Sequence, residues 1–432
     1  MVMIDLSTQT GNLSDERGER RIPKPEIAMF KIVHFPKKLE SFFAPLQNQF
    51  HWGHFQYFRM LVLLIVIAWG RRNVANLCRH LDGRGRPHRS RYNNFLNLDR
   101  WQPAAVLQVK ASDLVNALSP RPGDEIALIL DDTKKGKRGR DMEAVSWIHD
   151  PTTGRSIRGH QYVTATLSFR GHTIPLGIRL YVKKEDCRGL GIRFRKTTEL
   201  AAQMIREFNP PAGVCVRVLF DSYYLCPTVV KACKSKGFHF VSTLKSNRNL
   251  FKNGRKLFHR GPKSTFNLTK TQGRVTYTYV DAGGVDVSDL GTLHVIFSRK
   301  NHEPKVLGIV TDDPKMSARQ MIQTYDERWS IEVFFKDSKH LLGLGQYQNG
   351  SYQAAVTHLH LVCFARALLT HIAIVREGEK SKTRRKSAAR LSAADLQNET
   401  RRMVWDDLTE HLKRFSSGTQ IIKELERLLI AA

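Results

Sequence analysis

Tyr325-Asp-Glu-Arg328-Trp-Ser-Ile-Glu332-Val-Phe-Phe-Lys-Asp-Ser-Lys339 is the stretch from which the rest of the chain is best read. It follows Asp313-Pro314, an opening that predicts one long helix running to about Leu342. At roughly 100° per residue, Tyr325, Arg328, Glu332 and Lys339 fall within about 60° of one another. The other acids of the stretch, Asp326, Glu327 and Asp337, fall at roughly 100°, 200° and 120° from Tyr325. Glu332 is therefore the one carboxylate on a face that otherwise carries a phenol and two cations.

Upstream, two further carboxylates follow strand-like runs. Ile126–Leu130 is a short continuous apolar run ending in Asp131-Asp132, and Val214–Phe220 is another ending in Asp221. Tyr162–Phe169 and Thr173–Val182 flank Arg170-Gly171-His172, a hairpin signal. Thr197–Phe208 and Pro227–Lys236 have helical patterns, and Phe238–Leu244 and Lys305–Thr311 have strand patterns. Residues 246–303, rich in Lys, Arg, Asn and Gly with alternating stretches, predict a mostly β insertion. The expected fold is α/β on a mixed sheet over 125–245 and 305–375, with acids at strand ends, where open α/β sheets build their sites. Three converging carboxylates repel one another unless a cation lies between them. Hard divalent cations accept such oxygen ligands, and two Mg²⁺ ions can activate a nucleophile and stabilise the leaving oxygen of a phosphodiester.

Composition points to the same substrate. Among 432 residues, 69 Lys plus Arg against 40 Asp plus Glu give a net charge of +29. That excess argues against an enzyme of neutral metabolites and for a polyanionic partner, nucleic acid first. The six cysteines, at 78, 187, 215, 226, 233 and 363, form no C-x-x-C pair, so reduced thiols in a cytoplasmic protein are expected. The longest apolar run, Met60–Trp69, is too short to cross a membrane and predicts a buried helix. Residues 1–25 form a polar tail without the apolar core of a signal peptide.

The quoted residues carry a resemblance. The chain resembles the DDE transposases of bacterial insertion sequences, and more narrowly the group with the signature Y-x2-R-x3-E-x6-K, which stands intact as Tyr325, Arg328, Glu332 and Lys339. The likeness covers roughly 125–375. It implies a ribonuclease-H-like core with a β insertion before the Glu helix. It also implies cleavage dependent on two Mg²⁺ ions (or Mn²⁺), and strand transfer from terminal inverted repeats of double-stranded DNA into target DNA. A homodimer holding both ends, no membrane partner, and a bacterial cytoplasmic, nucleoid-associated location follow from the same likeness. By that resemblance Asp131, Asp221 and Glu332 are the catalytic and metal-binding acids, with Asp132 an alternative first acid. Tyr325, Arg328, Trp329 and Lys339 match positions that handle DNA near the cut. Some relatives stack a flipped base on a Trp in the insertion. The six tryptophans here, 52, 69, 101, 147, 329 and 405, all lie outside it, leaving Tyr277, Tyr279 or Phe297 as substitutes.

Further basic segments complete the reading. Residues 26–120 are expected to form a helical DNA-binding region. Within it, 71–91 hold seven arginines and one acid, Asp82, and Tyr92, Asn93 and Asn94 follow. Arg84, Arg86, Arg89 and Arg91 stand around a Gly-Pro break, as in a helix-turn-helix relative or a less specific phosphate-binding face. Lys134 and Lys135 after the first acid are expected phosphate contacts. Residues 380–390 read as a basic tether and 391–432 as a helical C-terminal region. His149, His160 and Cys187 read as structural. Two competing functions are a ribonuclease-H-like nuclease without strand transfer and a non-catalytic DNA-binding protein derived from a transposase.

Overall fold

The computed structural model describes residues 29–84, 87–99, 101–150, 154–252, 255–256, 264–270, 273–300, 303–382 and 390–430. The polar tail 1–25, Arg86 and most of the basic tether lie outside the described residues. The N-terminal region comprises β1 (Met29–Phe30), α1 (Glu40–Phe43), α2 (Trp52–Ile67), α3 (Val74–Arg79), α4 (Arg89–Leu96) and α5 (Pro103–Ala117). α2 is buried along its C-terminal half because Met60–Ile67 is apolar on every side. A helix without a polar face needs protein all around it.

The central sheet begins with β2 (Glu125–Gly136), β3 (Ser146–Asp150), β4 (Arg155–Phe169) and β5 (His172–Tyr181). After α6 (Lys184–Cys187) and α7 (Thr197–Glu207) come β6 (Cys215–Phe220), α8 (Pro227–Ser235) and β7 (His239–Thr243). The insertion contributes β8 (Leu250–Lys252), β9 (Arg255–Lys256), β10 (Ser264–Lys270), β11 (Gly273–Val287) and β12 (Gly291–Lys300), and β13 (Leu307–Thr311) returns to the core. The chain ends in α9 (Ala318–Asp326), α10 (Trp329–His340), α11 (Tyr352–Lys382), α12 (Ala393–Leu412), α13 (Gly418–Leu428) and β14 (Leu429–Ile430).

Among the described residues the strands from β2 to β13 form one sheet, in the order β3-β4-β2-β6-β7-β13-β12-β11-β8-β9, with β5 beside β4 and β10 beside β11. β2–β6 and β6–β7 are parallel, and the remaining pairs are antiparallel. This is the expected α/β fold with a mixed sheet and flanking helices, consistent with a ribonuclease-H-like core. The insertion continues the core sheet through the β13–β12–β11 ladder rather than standing apart from it.

Four expectations need correction. The single long helix is two. Ser317 and Gln320 form a capping box that starts α9 at Ala318 rather than at Asp313. At the junction, Glu327 bonds back to Thr324, Arg328 to Tyr325 and Ile331 to Arg328. These are i→i+3 bonds of a tighter turn, so the even 100° step does not run through Arg328. Second, β2 runs past both acids to Gly136, because its antiparallel partner β4 is long enough to pair Lys135 with His160 and Gly136 with Gly159. Lys134 and Lys135 are thus strand residues. Third, β3 was not anticipated; it pairs with the first residues of β4. Fourth, α11 extends to Lys382, past the expected end of the core at 375, and takes in the start of the basic tether.

α11 is the central helix of the fold and packs against α2, α5 and β5. Its segment Tyr352–Glu379 is long and apolar enough to cross a membrane by composition, and 83% of its apolar window is buried inside the protein. The first and last described strands, β1 and β14, pair antiparallel. Beside this pair, Arg427 and Arg84 bind Asp82 and Glu424, and His411 also reaches Glu424.

Candidate active site

The parallel ladder between β2 and β6 ends at Ile129–Leu219. Asp131 and Asp132 lie on β2 just beyond it, and Asp221 follows β6 directly. Successive strand residues face opposite sides. Asp131, Thr133 and Lys135 therefore share one face, and Asp132 and Lys134 the other. The first face is covered by α10 and the turn after it. Gly345 (φ +75°) lies so close that a Cβ would meet Lys135 Cγ at 2.8 Å and Tyr162 Oη at 3.0 Å. Only glycine fits both the conformation and the approach.

Arg328, at the N-terminal edge of α10, joins two acids. Its Nη1 donates to Asp131 Oδ2 at 2.9 Å, and its Nη2 donates to Glu332, one turn along the helix. Asp221 Oδ1 accepts the backbone N–H groups of Tyr223 at 3.0 Å and Tyr224 at 3.4 Å, a turn that fixes the carboxylate at the strand end. Burial raises the pKa of Asp131 to about 6; Arg328 opposes this, while Asp221 and Asp132 add to it. Burial also raises the Asp221 pKa against the pull of its backbone donors and Arg328. The surrounding negative charge holds the guanidinium of Arg328 firmly protonated despite its burial.

Asp132 has separate partners. Gln161 Nε2 donates to its Oδ2 at 2.7 Å, Lys134 Nζ lies 3.7 Å away, and the Tyr224 hydroxyl is 3.5 Å from Oδ1. Tyr224 and Gln161 were not anticipated as site residues. Tyr224 is three residues after Asp221, a spacing that a turn reading could have found. Gln161 reaches the site only through strand register, which leaves no mark in the sequence.

The remaining expected residues fall at different places. Tyr325, in the last turn of α9, has its hydroxyl 3.4 Å from Thr243 Oγ1 and its ring centroid 5.8 Å from the Arg328 guanidinium. Trp329 is largely solvent-exposed. Lys339 lies in the last turn of α10, where burial and the nearby Lys135 and Lys134 lower its pKa while Asp150 opposes them. Lys135 and Lys134, on opposite faces of β2, and Lys339 thus place positive charge near the acids. Arg84 is engaged with Asp82 and Glu424, whereas Arg89 and Arg91 are exposed on α4. Of the aromatics offered as base-stacking substitutes, Phe297 is buried in the core and Tyr277 donates to Asp326 at 3.2 Å. Phe297 is therefore withdrawn from that role. His160 and Cys187 are buried and His149 is exposed.

Among the described residues, no three His, Cys, Asp or Glu side chains are gathered as a ready metal cage. Arg328 occupies the space between Asp131 and Glu332 and supplies the counter-charge. The donor chemistry itself, carboxylate oxygens whose charged forms are disfavoured without a cation, fits a hard divalent ion.

The chain thus combines a mixed sheet, one acid just past the parallel β2–β6 ladder, one directly after β6, and a third on the covering helix. Comparison with known proteins agrees. The family model "DDE superfamily endonuclease" matches residues 54–266, and "Transposase DDE domain" matches residues 195–368. Together these matches span residues 54–368 and support reading the chain as a DDE transposase. A "Probable transposase for insertion sequence element IS701" from Microchaete diplosiphon is 27% identical over 132 residues. That alignment covers 31% of this chain and 34% of the relative, about a third of each.

Proposed function

We propose that this protein cuts DNA at the terminal inverted repeats of its element and joins the freed 3′ ends to target DNA in a cut-and-paste reaction. The observation that supports this reading is the placement of Asp131 on β2, Asp221 directly after β6 and Glu332 on α10, with Arg328 bonded to Asp131 and Glu332. Asp131 is the preferred first acid because it shares the α10 face with Glu332, while Asp132 points to Gln161 and Tyr224. These acids would hold Mg²⁺ or Mn²⁺, which when bound activates the attacking oxygen and stabilises the leaving one.

The chain's own residues do the rest. Lys134, Lys135 and Lys339 hold backbone phosphates beside the acids. Tyr325 and Trp329 steady the strand near the cut. Arg328 balances the charge of Asp131 and Glu332 and keeps them apart. Arg89 and Arg91, exposed on α4, contact the element ends. The active form is a homodimer that holds two ends at once, working at the nucleoid in the bacterial cytoplasm.

The test is an assay on DNA carrying the inverted repeats that flank the gene. The expected result is cleavage that requires Mg²⁺ or Mn²⁺ and stops with a chelator, together with products joined through their 3′ ends. Cleavage without joined products would reduce the protein to a nuclease. Binding without cleavage would reduce it to a DNA-binding protein.

A further inference from the structure

We propose that Lys137 is a positioning residue for Glu332. It pins the turn after α10 to the far end of β2 and so keeps the helix seated over the acids when Arg328 releases Asp131. The inference rests on the DNA-cutting reading and deepens it.

α10 packs on β2 and is fastened beyond both of its ends. At its N-terminal edge Arg328 donates to Asp131 Oδ2 at 2.9 Å. Past its C-terminus, Lys137 Nζ donates to the Gly345 carbonyl at 2.7 Å and to the Tyr347 carbonyl at 3.2 Å. The two spans match. The 12 residues of α10 make about 18 Å of helix. The extended chain from Asp131 to Lys137 covers about 20 Å. Among the described residues, no other hydrogen bond joins 131–137 to 328–347.

Lys137 is an anchor rather than a surface charge. It is 9% exposed, directly after a strand whose Lys134 and Lys135 are more open. Burial first, then Lys135, lower its pKa to about 7, and no carboxylate among the described residues offsets them. A packing role alone would favour an apolar side chain of the same length, because burying the charge costs stability. The ammonium instead meets two carbonyls and the Tyr347 ring, whose centroid is 3.2 Å from Nζ. A second buried cation, Arg72, donates to the carbonyl of Leu341, the C-cap residue of α10, at 2.6 Å. Positive charge thus gathers where a helix presents its negative end. The Tyr347 hydroxyl also meets His160 Nδ1 and lies 3.2 Å from Tyr162 Oη, both on β4. The turn therefore shifts only by breaking bonds to two strands.

The two fastenings are unequal in the reaction. Arg328 stands between Asp131 and Glu332, so its bond is the one that gives way when the acids take up a cation. The Lys137 contacts lie at the other end of the helix and stay made. Without them α10 is free to tilt, and bringing Glu332 back over β2 becomes an added cost of binding the ion.

Cleavage of an element end, measured against Mg²⁺ concentration, tests this on the full chain. Lys137→Met keeps the length of the side chain and removes its donors. Half-saturating Mg²⁺ should rise about tenfold, the range seen when a residue that orients a metal ligand is lost, with a smaller change in maximal rate. A merely structural role would lower the rate by one factor at every Mg²⁺ concentration and leave half-saturation in place. Without DNA, Mn²⁺ binding, followed by the electron-spin-resonance signal of the free ion, should weaken by a similar factor. In Gly345→Ala the added Cβ meets Lys135 Cγ at 2.8 Å, which lifts the same turn with Lys137 intact. It should shift half-saturation in the same direction, and it keeps the test open if Lys137→Met does not fold. Glu424→Gln, in the charged cluster beside β1 and β14, should leave half-saturation unchanged. Half-saturation and Mn²⁺ affinity unmoved by Lys137→Met and Gly345→Ala, or moved equally by Glu424→Gln, would overturn the proposal. Unmodified protein that binds Mn²⁺ and cuts nothing would overturn the DNA-cutting reading alone, and the Mn²⁺ affinities would still decide the role of Lys137.

Discussion

Arg328 Nη1 lies 2.9 Å from Asp131 Oδ2, and this contact joins the helix that carries Glu332 to the strand that carries the first acid. The guanidinium stands where the two carboxylates would otherwise repel each other. A cation bound by the acids therefore has to share or take over that role.

Arg328→Ala should lower thermal stability in chelator by about 2–3 kcal/mol, the cost of leaving partly buried charge without its partner. Added Mg²⁺ should then raise the melting temperature more in the variant than in the unmodified protein. An equal Mg²⁺ effect in both would mean that Arg328 and the ion do not share the acids.

Asp131→Asn should abolish cleavage, whereas Asp132→Asn should leave part of it. Asp132 is held by Gln161 and Tyr224, on the face away from Glu332. Measured cleavage rates that rank the other way would move the first acid one residue along.

The arginines of the N-terminal region should divide by partner. Arg84 is tied to Glu424 at 2.7 Å, so Arg84→Ala should lower the melting temperature. Arg89→Ala and Arg91→Ala should leave it unchanged and weaken DNA binding. A base-reading arginine costs about 1–3 kcal/mol on the cognate end alone, and a phosphate contact weakens all DNA alike. Affinities for cognate and scrambled duplexes at one fixed salt concentration separate the two. Binding unchanged by either substitution would remove α4 from the DNA interface.

Acid should loosen the charged cluster of Asp82, Arg84, Glu424 and Arg427 beside β1 and β14. Hydrogen bonds from Arg427 first, and from His411, lower the Glu424 pKa to about 2. A carboxylate depressed in the folded state stabilises fully above its unfolded value, and that stabilisation fades as pH falls from about 4.5 toward 2. Between pH 6 and pH 3 the unmodified protein should therefore lose about 2 kcal/mol more than Glu424→Gln. Thermal melts at both values measure this, and parallel losses would remove Glu424 from the acid response.

The acids and the fold class could be read from the chain because each rests on a local pattern. Apolar runs ending in Asp131 and Asp221 mark buried strands, and Glu332 stands out on its helix face. What could not be read depends on distant partners. The length of β2 is set by β4, so nothing local shows that the strand continues through Lys134 and Lys135. The break at Glu327–Arg328 leaves both residues in ordinary helical conformation, and only the hydrogen bonds shift. The role of Arg84 is set by Glu424, 340 residues away. The insertion alternates like a free-standing sheet, and the pairing of β12 with β13 that extends the core sheet into it depends on strands the alternation does not reveal.

The central claim is that the carboxylates, with Glu332 among them, perform the cut while the basic surfaces hold the DNA. Glu332→Gln keeps the side chain's size and removes one charged oxygen ligand, and affinity for DNA comes mainly from Lys and Arg contacts to phosphate. The deciding measurement is a cleavage assay in Mg²⁺ beside a band-shift assay on the same element end. The account predicts no cleavage and unchanged binding. Cleavage at the unmodified rate would contradict it.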